Sequence, residues 1–121
     1  MDNLKDIVDN IKSKNLDEAL KQCEKQYNKG NEYLINNFKG VIYSLLNNQD
    51  LAEKFFKISH DLNENFEDPL KNLYILSIKK NKFDDAIRFA NKLCNLNSSN
   101  DLFVYQLAYA YELSNKKEKL E

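Results

Sequence analysis

The sequence predicts an all-α fold made of antiparallel helix pairs. The 121 residues include only two glycines and one proline, so few residues would break a helix. Apolar residues follow polar turns at helical spacing, which favours long helices over a many-stranded sheet. The chain also repeats itself at a fixed interval. Such a repeat indicates that the helix pairs stack on one another, because one pair cannot bury its apolar face alone.

Seven helices are expected, with room for the first turn of an eighth. Polar turns and caps set their limits. A turn at residues 29–31 can end one helix and start the next, and Asp68 followed by Pro69 is typical of an N-cap and a first helical residue. A second turn at residues 98–101 offers several caps. The predicted helices span residues 3–13, 16–28, 32–46, 49–62, 68–80, 83–95 and 101–114.

The internal repeat is clearest at the start of every second helix. Ala19, Ala52 and Ala86 each follow a polar turn and open an apolar run. The step from Ala52 to Ala86 is 34 residues, since 86 − 52 = 34. Ala19 lies one residue short of this step, which predicts a one-residue deletion in the first turn. The upstream helices keep the 34-residue step in two series, Gly40, Tyr74 and Ala108, and Tyr43, Ser77 and Tyr111.

This pattern resembles the tetratricopeptide repeat family, whose unit is 34 residues long. In that family the first helix of a unit carries a small residue followed by an aromatic one, and the second helix opens with alanine. The third unit departs from this pattern, because Tyr74 replaces the small residue and Ser77 the aromatic one. The fullest match is in the second unit, at Gly40, Tyr43, Ala52, Phe56 and Ser59.

The resemblance covers nearly the whole chain and implies its architecture. We expect a right-handed superhelical stack, an α-solenoid of about three and a half units, in a single domain over residues 1–119. Leu120 and Glu121 are expected to be a cloning scar.

Composition argues against several other classes of protein. The formal charge is −1, from 18 basic and 19 acidic residues, and nucleic-acid binders usually show a basic excess. No apolar run is long enough for a membrane span, and we expect no secretory leader. Cys23 and Cys94 lie far apart in no ligand pattern. A reducing, cytoplasmic location is therefore expected, with neither nucleic acid nor a membrane as partner.

We expect no catalytic residue, cofactor or metal. His60 is the only histidine and has no cysteine or histidine cluster around it. The two glycines are isolated and cannot form a loop that cradles phosphate. Asp84 and Asp85 stand at a helix start, where carboxylates complement the helix dipole.

What remains is a binding surface. The resemblance implies that the first helix of each unit lines a concave groove, which takes a peptide or a partner helix. Tyr105 and Tyr109 are four residues apart, so they share one helical face, and exposed aromatics with a polar tip suit peptide capture. The alternative is that they pack on a neighbouring repeat. The predicted groove residues are Leu34, Asn37, Val41, Lys71, Ile75, Ile78, Tyr105 and Tyr109.

The predicted function is therefore a protein-interaction module, a scaffold or adaptor. Two alternatives stay open. The first, which resemblance alone suggests, is an N-terminal substrate-recognition arm of a larger bacterial transferase, such as a glycosyltransferase or sulfotransferase. The second is a homodimer through the last helix, which is apolar at Leu107, Ala108, Tyr111 and Leu113 and lacks the polar cap that such stacks need.

Overall fold

The computed structural model describes residues 4–120, so residue 3 of the predicted first helix and Glu121 lie outside the described part. Throughout residues 4–120 the regular structure is helical, which confirms the predicted all-α class. A short 3₁₀ turn at Lys29–Asn31 joins the second and third helices. The seven α-helices are α1 (Leu4–Lys12), α2 (Leu16–Gln26), α3 (Glu32–Leu45), α4 (Gln49–Leu62), α5 (Glu67–Lys79), α6 (Phe83–Leu96) and α7 (Asp101–Leu120).

The predicted helix limits need correction at the end of α7 and at the start of α5. α7 continues to Leu120, beyond the predicted end at residue 114. The predicted cap at Asp68 is wrong, because α5 begins at Glu67 and Phe66 occupies the N-cap position without a side-chain cap bond. Pro69 lies in the first turn, where backbone N–H groups have no partner within the helix in any case. Pro69 is therefore compatible with a helix that starts two residues before it.

The turn at residues 29–31 depends on an asparagine pair rather than on glycine. The backbone N–H of Asn31 donates to Oδ1 of Asn28, and the N–H of Asn28 donates to Oδ1 of Asn31, both at 2.9 Å. Gly30 does not adopt a positive φ. The predicted turn at residues 29–31 is therefore confirmed, but α2 already ends at Gln26, and the asparagines rather than Gly30 satisfy the free amides.

The chain divides into two compact units, Met1–Glu64 and Asn65–Glu121, called unit 1 and unit 2 below. In unit 1, α1 packs on α2, α2 on α3, and α3 on α4. In unit 2, α5 packs on α6, and α6 on α7. The core of unit 1 includes Ile7, Ala19, Cys23, Ile35 and Ile42, and buried residues of unit 2 include Leu70, Leu73, Leu93, Phe103 and Ala110.

The turns α1–α2, α3–α4 and α5–α6 share one backbone geometry. Each has a residue with left-handed φ, namely Lys14 (61°), Asn47 (63°) and Asn81 (59°). The next residue donates its N–H to the carbonyl five positions back at 2.8 Å in all three turns, which is the Schellman arrangement. Asn47 and Asn81 are 34 residues apart (81 − 47 = 34), so the turns follow the sequence step.

The missing residue of the first repeat does not lie in the first turn. The turn at Lys14 has the same hydrogen bonds as the other two, so the predicted deletion there is wrong. Ala19 and Gly40 are 21 residues apart (40 − 19 = 21), whereas Ala52 and Tyr74 are 22 apart (74 − 52 = 22). The chain is therefore one residue shorter between Ala19 and Gly40, the stretch that contains the 3₁₀ turn.

Candidate functional site

The predicted groove residues of unit 1 lie on α3. Leu34 and Val41 are half-buried, and Asn37 is only 6% exposed. A side chain that is already buried offers little surface to a ligand, so the accessible candidates within unit 1 are the two aliphatic residues.

The predicted groove residues of unit 2 lie on α5 and α7. On α5, Ile75 is exposed, while Lys71 and Ile78 are half-buried. On α7, Tyr105 is 61% exposed and Tyr109 is 40% exposed. Unit 2 therefore presents more accessible apolar and aromatic area than α3 does, and the two tyrosines are its most prominent members.

Tyr105 and Tyr109 stack on each other. Their ring centroids are 6.2 Å apart and their planes differ by 16°. The four-residue spacing on α7 places the rings one turn apart on the same side of the helix. The stack orients both rings without burying them, so little side-chain freedom would be lost when a ligand packs on them.

Tyr74 connects α5 to the helix that carries the stack. Its hydroxyl donates to the backbone carbonyl of Gln106 at 2.8 Å, while its ring is buried. Burial raises the pKa of the Tyr74 hydroxyl, and the nearby hydroxyls of Tyr109 and Tyr105 raise it further. The three tyrosines therefore form one cluster.

Sequence analysis did not include Tyr74 among the site residues. The available signal was its departure from the family pattern, since a tyrosine occupies a position that the family keeps small. A large side chain at position 74 reaches α7 directly. The sequence alone does not show that α7 lies within its reach.

Lys71 also bridges the two helices. Its Nζ lies 5.8 Å from the centre of the Phe103 ring on α7, within the range of a cation–π interaction. The same Nζ lies 3.8 Å from carboxylate oxygens of Glu67 and Asp68, which balance its charge. We call the surface formed by Lys71, Ile75, Ile78, Tyr105 and Tyr109, with Tyr74 beneath it, the tyrosine surface.

A cavity of about 420 Å³ lies elsewhere in unit 2, between the start of α6 and the end of α7. Its lining includes Asp84 and Lys117, and both have partners in the protein. Ser114 Oγ lies 3.3 Å from Oδ1 of Asp84, and Lys117 Nζ donates to the carbonyl of Asn81 at 3.3 Å. The mixed charges of this cavity serve the contact between the two helices and define no ligand chemistry.

Residues 4–120 contain neither a metal-binding cluster nor a membrane-spanning helix. Within that range no three histidine, cysteine, aspartate or glutamate side chains are grouped so that they could hold a metal ion. No helix in the described part combines the length and the apolar character that a bilayer span requires. His60 is half-buried on α4, which belongs to unit 1, whereas the tyrosine surface belongs to unit 2.

Comparison with known proteins returned neither a matching family model nor a matching curated protein. The assignment of a binding site therefore depends on the chemistry and geometry of the residues themselves.

Proposed function

We propose that this chain is a protein-interaction module that binds an extended peptide or a partner helix at the tyrosine surface of unit 2. The observation that carries the proposal is the exposed, mutually stacked pair Tyr105 and Tyr109. Tyrosines are among the residues that most often dominate binding energy at protein interfaces, because a rigid ring offers large contact area at low entropic cost.

The neighbouring residues support a peptide rather than a small polar molecule as the ligand. Ile75 adds an exposed aliphatic side chain one turn after Lys71 on α5. Lys71, Glu67 and Asp68 place charged groups of both signs at the start of α5. An apolar strip with charges at one end suits a peptide that has an apolar or proline side chain flanked by a charged one.

We further propose that the helix pairs belong to the tetratricopeptide type and form a right-handed superhelical stack, in a cytoplasmic scaffold or adaptor. The 34-residue spacing of Ala52 and Ala86 supports this, as does the same spacing of the left-handed residues Asn47 and Asn81. A low-resolution scattering profile of the chain, compared with profiles calculated for solenoid and closed-bundle arrangements, tests the proposal directly.

The test of the binding site starts with a displayed library of random peptides selected against the whole chain. The affinity of selected, fluorescently labelled peptides is then measured by anisotropy. Replacing Tyr105 and Tyr109 together by alanine should weaken binding at least about thirtyfold, the equivalent of about 2 kcal/mol for a hot-spot pair. Helical content should stay unchanged by circular dichroism, since both rings are exposed.

Tyr111→Ala provides the matched control. Tyr111 lies on the same helix with a similar exposure of 49%, yet outside the tyrosine surface. This variant should retain full affinity. Selected peptides that bind the double variant as tightly as the natural chain, or a selection that yields no binder, would overturn the proposal.

A further inference from the structure

The two helices that form the tyrosine surface begin at the same end of unit 2. Lys71 of α5 contacts the ring of Phe103, and Tyr74 of α5 contacts Gln106, both on α7. Both pairs are 32 residues apart (103 − 71 = 32 and 106 − 74 = 32). A constant offset between contacting residues means that α5 and α7 run in the same direction, so their first turns are neighbours.

Carboxylates outnumber cations where these two helices begin. Glu67 and Asp68 lie in the first turn of α5, and Asp101 begins α7. We call these three residues the acidic end. Lys71 is the cation beside them on α5. α6 also finishes here, because a short turn leads from it to α7, and its last turns include Lys92. Even with Lys92 counted, three carboxylates face two ammonium groups.

The carboxylates of α5 retain open acceptor sites. Such residues are common at helix starts, where they complement the helix dipole. Lys71 Nζ lies 3.8 Å from one oxygen of Glu67 and of Asp68, which is too long for a hydrogen bond. At the start of α6, by contrast, Asp85 is paired with Arg88 at 3.0 Å. The acidic end can therefore accept hydrogen bonds from a cationic ligand.

The same surface already binds one cation with an aromatic ring and carboxylates together. Lys71 Nζ lies 5.8 Å from the centre of the Phe103 ring and within 4 Å of two carboxylates. Phe103 is buried, whereas Tyr105 and Tyr109 expose their rings. A tyrosine ring attracts a cation through its face as a phenylalanine ring does. The two tyrosines therefore add accessible aromatic faces next to the open carboxylates.

Given that peptides bind at the tyrosine surface as proposed above, we infer that the natural ligand is a basic peptide. Its arginine lies against the acidic end, and an apolar side chain packs on the tyrosine rings. Arginine fits better than lysine, because a planar guanidinium can stack on a ring while it donates two parallel hydrogen bonds to a carboxylate.

The separation of the two contacts predicts the spacing within the peptide. The offset of 32 places Asp68 level with residue 100 of α7 (68 + 32 = 100), five residues before Tyr105. At 1.5 Å per residue this is about 8 Å along the helix. An extended chain advances about 3.3 Å per residue. The arginine and the apolar residue are therefore expected to lie two to three positions apart.

The peptides selected against the whole chain are the probe for this chemistry. They should carry arginine at one position more often than the unselected library does. Replacing that arginine by citrulline keeps the shape and removes the charge, and it should weaken binding about tenfold in the anisotropy measurement. The double variant Glu67→Gln with Asp68→Asn should weaken binding of the arginine peptide about fivefold. It should hardly change binding of the citrulline peptide, because the two changes remove one interaction.

Lys71→Met tests the sign of the ligand charge. Lys71 competes with the peptide for the carboxylates of Glu67 and Asp68. Its removal should therefore tighten binding of the arginine peptide about threefold, the scale of one exposed ion pair. A peptide that used an acidic side chain would respond in the opposite direction, since it would lose its cation. Circular dichroism checks that every variant keeps its helical content.

The double variant Asp17→Asn with Glu18→Gln is the matched control. These residues are also an exposed aspartate and a half-buried glutamate in the first turn of a helix, but that helix is α2 of unit 1. The net charge changes by the same amount as in the variant of α5. Affinity for the arginine peptide should stay unchanged, which separates a local contact from the charge of the whole chain.

Three results would each refute the basic ligand. They are selected peptides no richer in arginine than the library, a citrulline peptide that binds as tightly as the arginine peptide, and weaker binding of the arginine peptide by the Lys71→Met chain. In all three cases a loss of affinity on replacing Tyr105 and Tyr109 would still support the proposed function. A selection without any binder would refute both proposals.

Discussion

Unit 1 and unit 2 place very different residues at one equivalent position of the repeat. In unit 1 the position is Gly40, and a Cβ there would overlap the ring of Phe56 on the facing helix. In unit 2 it is Tyr74, whose ring is buried and whose hydroxyl donates to the carbonyl of Gln106 on α7. In unit 1 this position thus permits the close approach of α3 and α4. In unit 2 it joins α5 to α7.

This difference explains why the tyrosine surface lies in unit 2. Tyr74 occupies a position that is small in unit 1, and its hydroxyl connects α5 to α7, the helix that carries Tyr105 and Tyr109. Unit 1 uses another link between its helices, because Ser59 Oγ on α4 donates to the carbonyl of Tyr33 on α3 at 2.7 Å. That link is internal to unit 1, and the aromatic residues of α3, which are Tyr33, Phe38 and Tyr43, are all half-buried. Four predictions test the comparison, from the largest effect to the smallest.

The two cysteines should differ most strongly. Cys23 of unit 1 is fully buried, and burial raises the pKa of its thiol to about 11, whereas Cys94 of unit 2 is half-buried. At pH 8 iodoacetamide should modify Cys94 at least about a hundredfold faster than Cys23, which reacts only when unit 1 opens. Mass spectrometry of timed samples measures both rates. Equal rates would show that the core of unit 1 opens easily.

The raised pKa of Cys23 also has a consequence for stability. The neutral thiol is favoured in the folded chain, so its contribution is fully present below the ordinary pKa of 9.0. That contribution is lost as the pH rises from 9.0 towards about 11, because the unfolded chain ionises first.

Gly40→Ala should destabilise the fold by about 1–3 kcal/mol, because the added methyl group overlaps Phe56 in a closely packed contact. Urea denaturation followed by circular dichroism measures the loss. Phe56→Leu in the same chain should relieve part of it, so the double variant should cost less than the sum of the single ones. Strict additivity would contradict the proposed contact. Gly30→Ala is the comparison and should cost less, since its Cβ lies 3.3 Å from Oδ1 of Asn28, a contact that a side-chain shift of a few tenths of an ångström relieves.

Tyr74→Phe should lower the free energy of unfolding by about 0.5–1.5 kcal/mol, the usual net contribution of one hydrogen bond. It should also reduce peptide binding modestly, because α7 loses one link to α5. Tyr111→Phe serves as the control, since its exposed hydroxyl is not needed for either property. A Tyr74→Phe chain as stable as the natural one would show that ring burial alone holds the two helices.

Lys14→Asn should raise stability by roughly 0.5 kcal/mol, the smallest of the four effects. Lys14 has a left-handed φ of 61°, which asparagine tolerates better than lysine. Asn47 and Asn81 already occupy the equivalent turns. The reciprocal change Asn47→Lys should lower stability by a similar amount, and thermal melting of the three chains compares them. A loss of stability in the Lys14→Asn chain, or a gain in the Asn47→Lys chain, would disprove the equivalence of the turns.

Most of the fold could be predicted because its signals are local. Helical apolar spacing, polar turns and the 34-residue step each involve neighbouring residues or similar copies of a segment. They located all seven helices, six of them within two residues at both ends, whereas α7 extends six residues beyond its predicted end. The start of α5 was missed because a proline in the first turn is compatible with more than one start. The turn at residues 29–31 was located correctly, but the sequence did not show that Asn28 and Asn31, rather than Gly30, provide its hydrogen bonds.

The candidate site was less predictable than the fold. The four-residue spacing alone placed Tyr105 and Tyr109 on one face of α7. It did not reveal that Asn37 is buried, nor that Tyr74 reaches α7, because both depend on residues from other helices.

The sequence by itself determined the helices, their turns and the interval at which they repeat. Only the tertiary structure decided which equivalent positions are covered: Leu70 is buried in α5, and Val104, one step later in α7, is exposed. The physical reason is that an amphipathic pattern specifies which residues share a helix face, whereas burial of that face requires a second helix to lie against it.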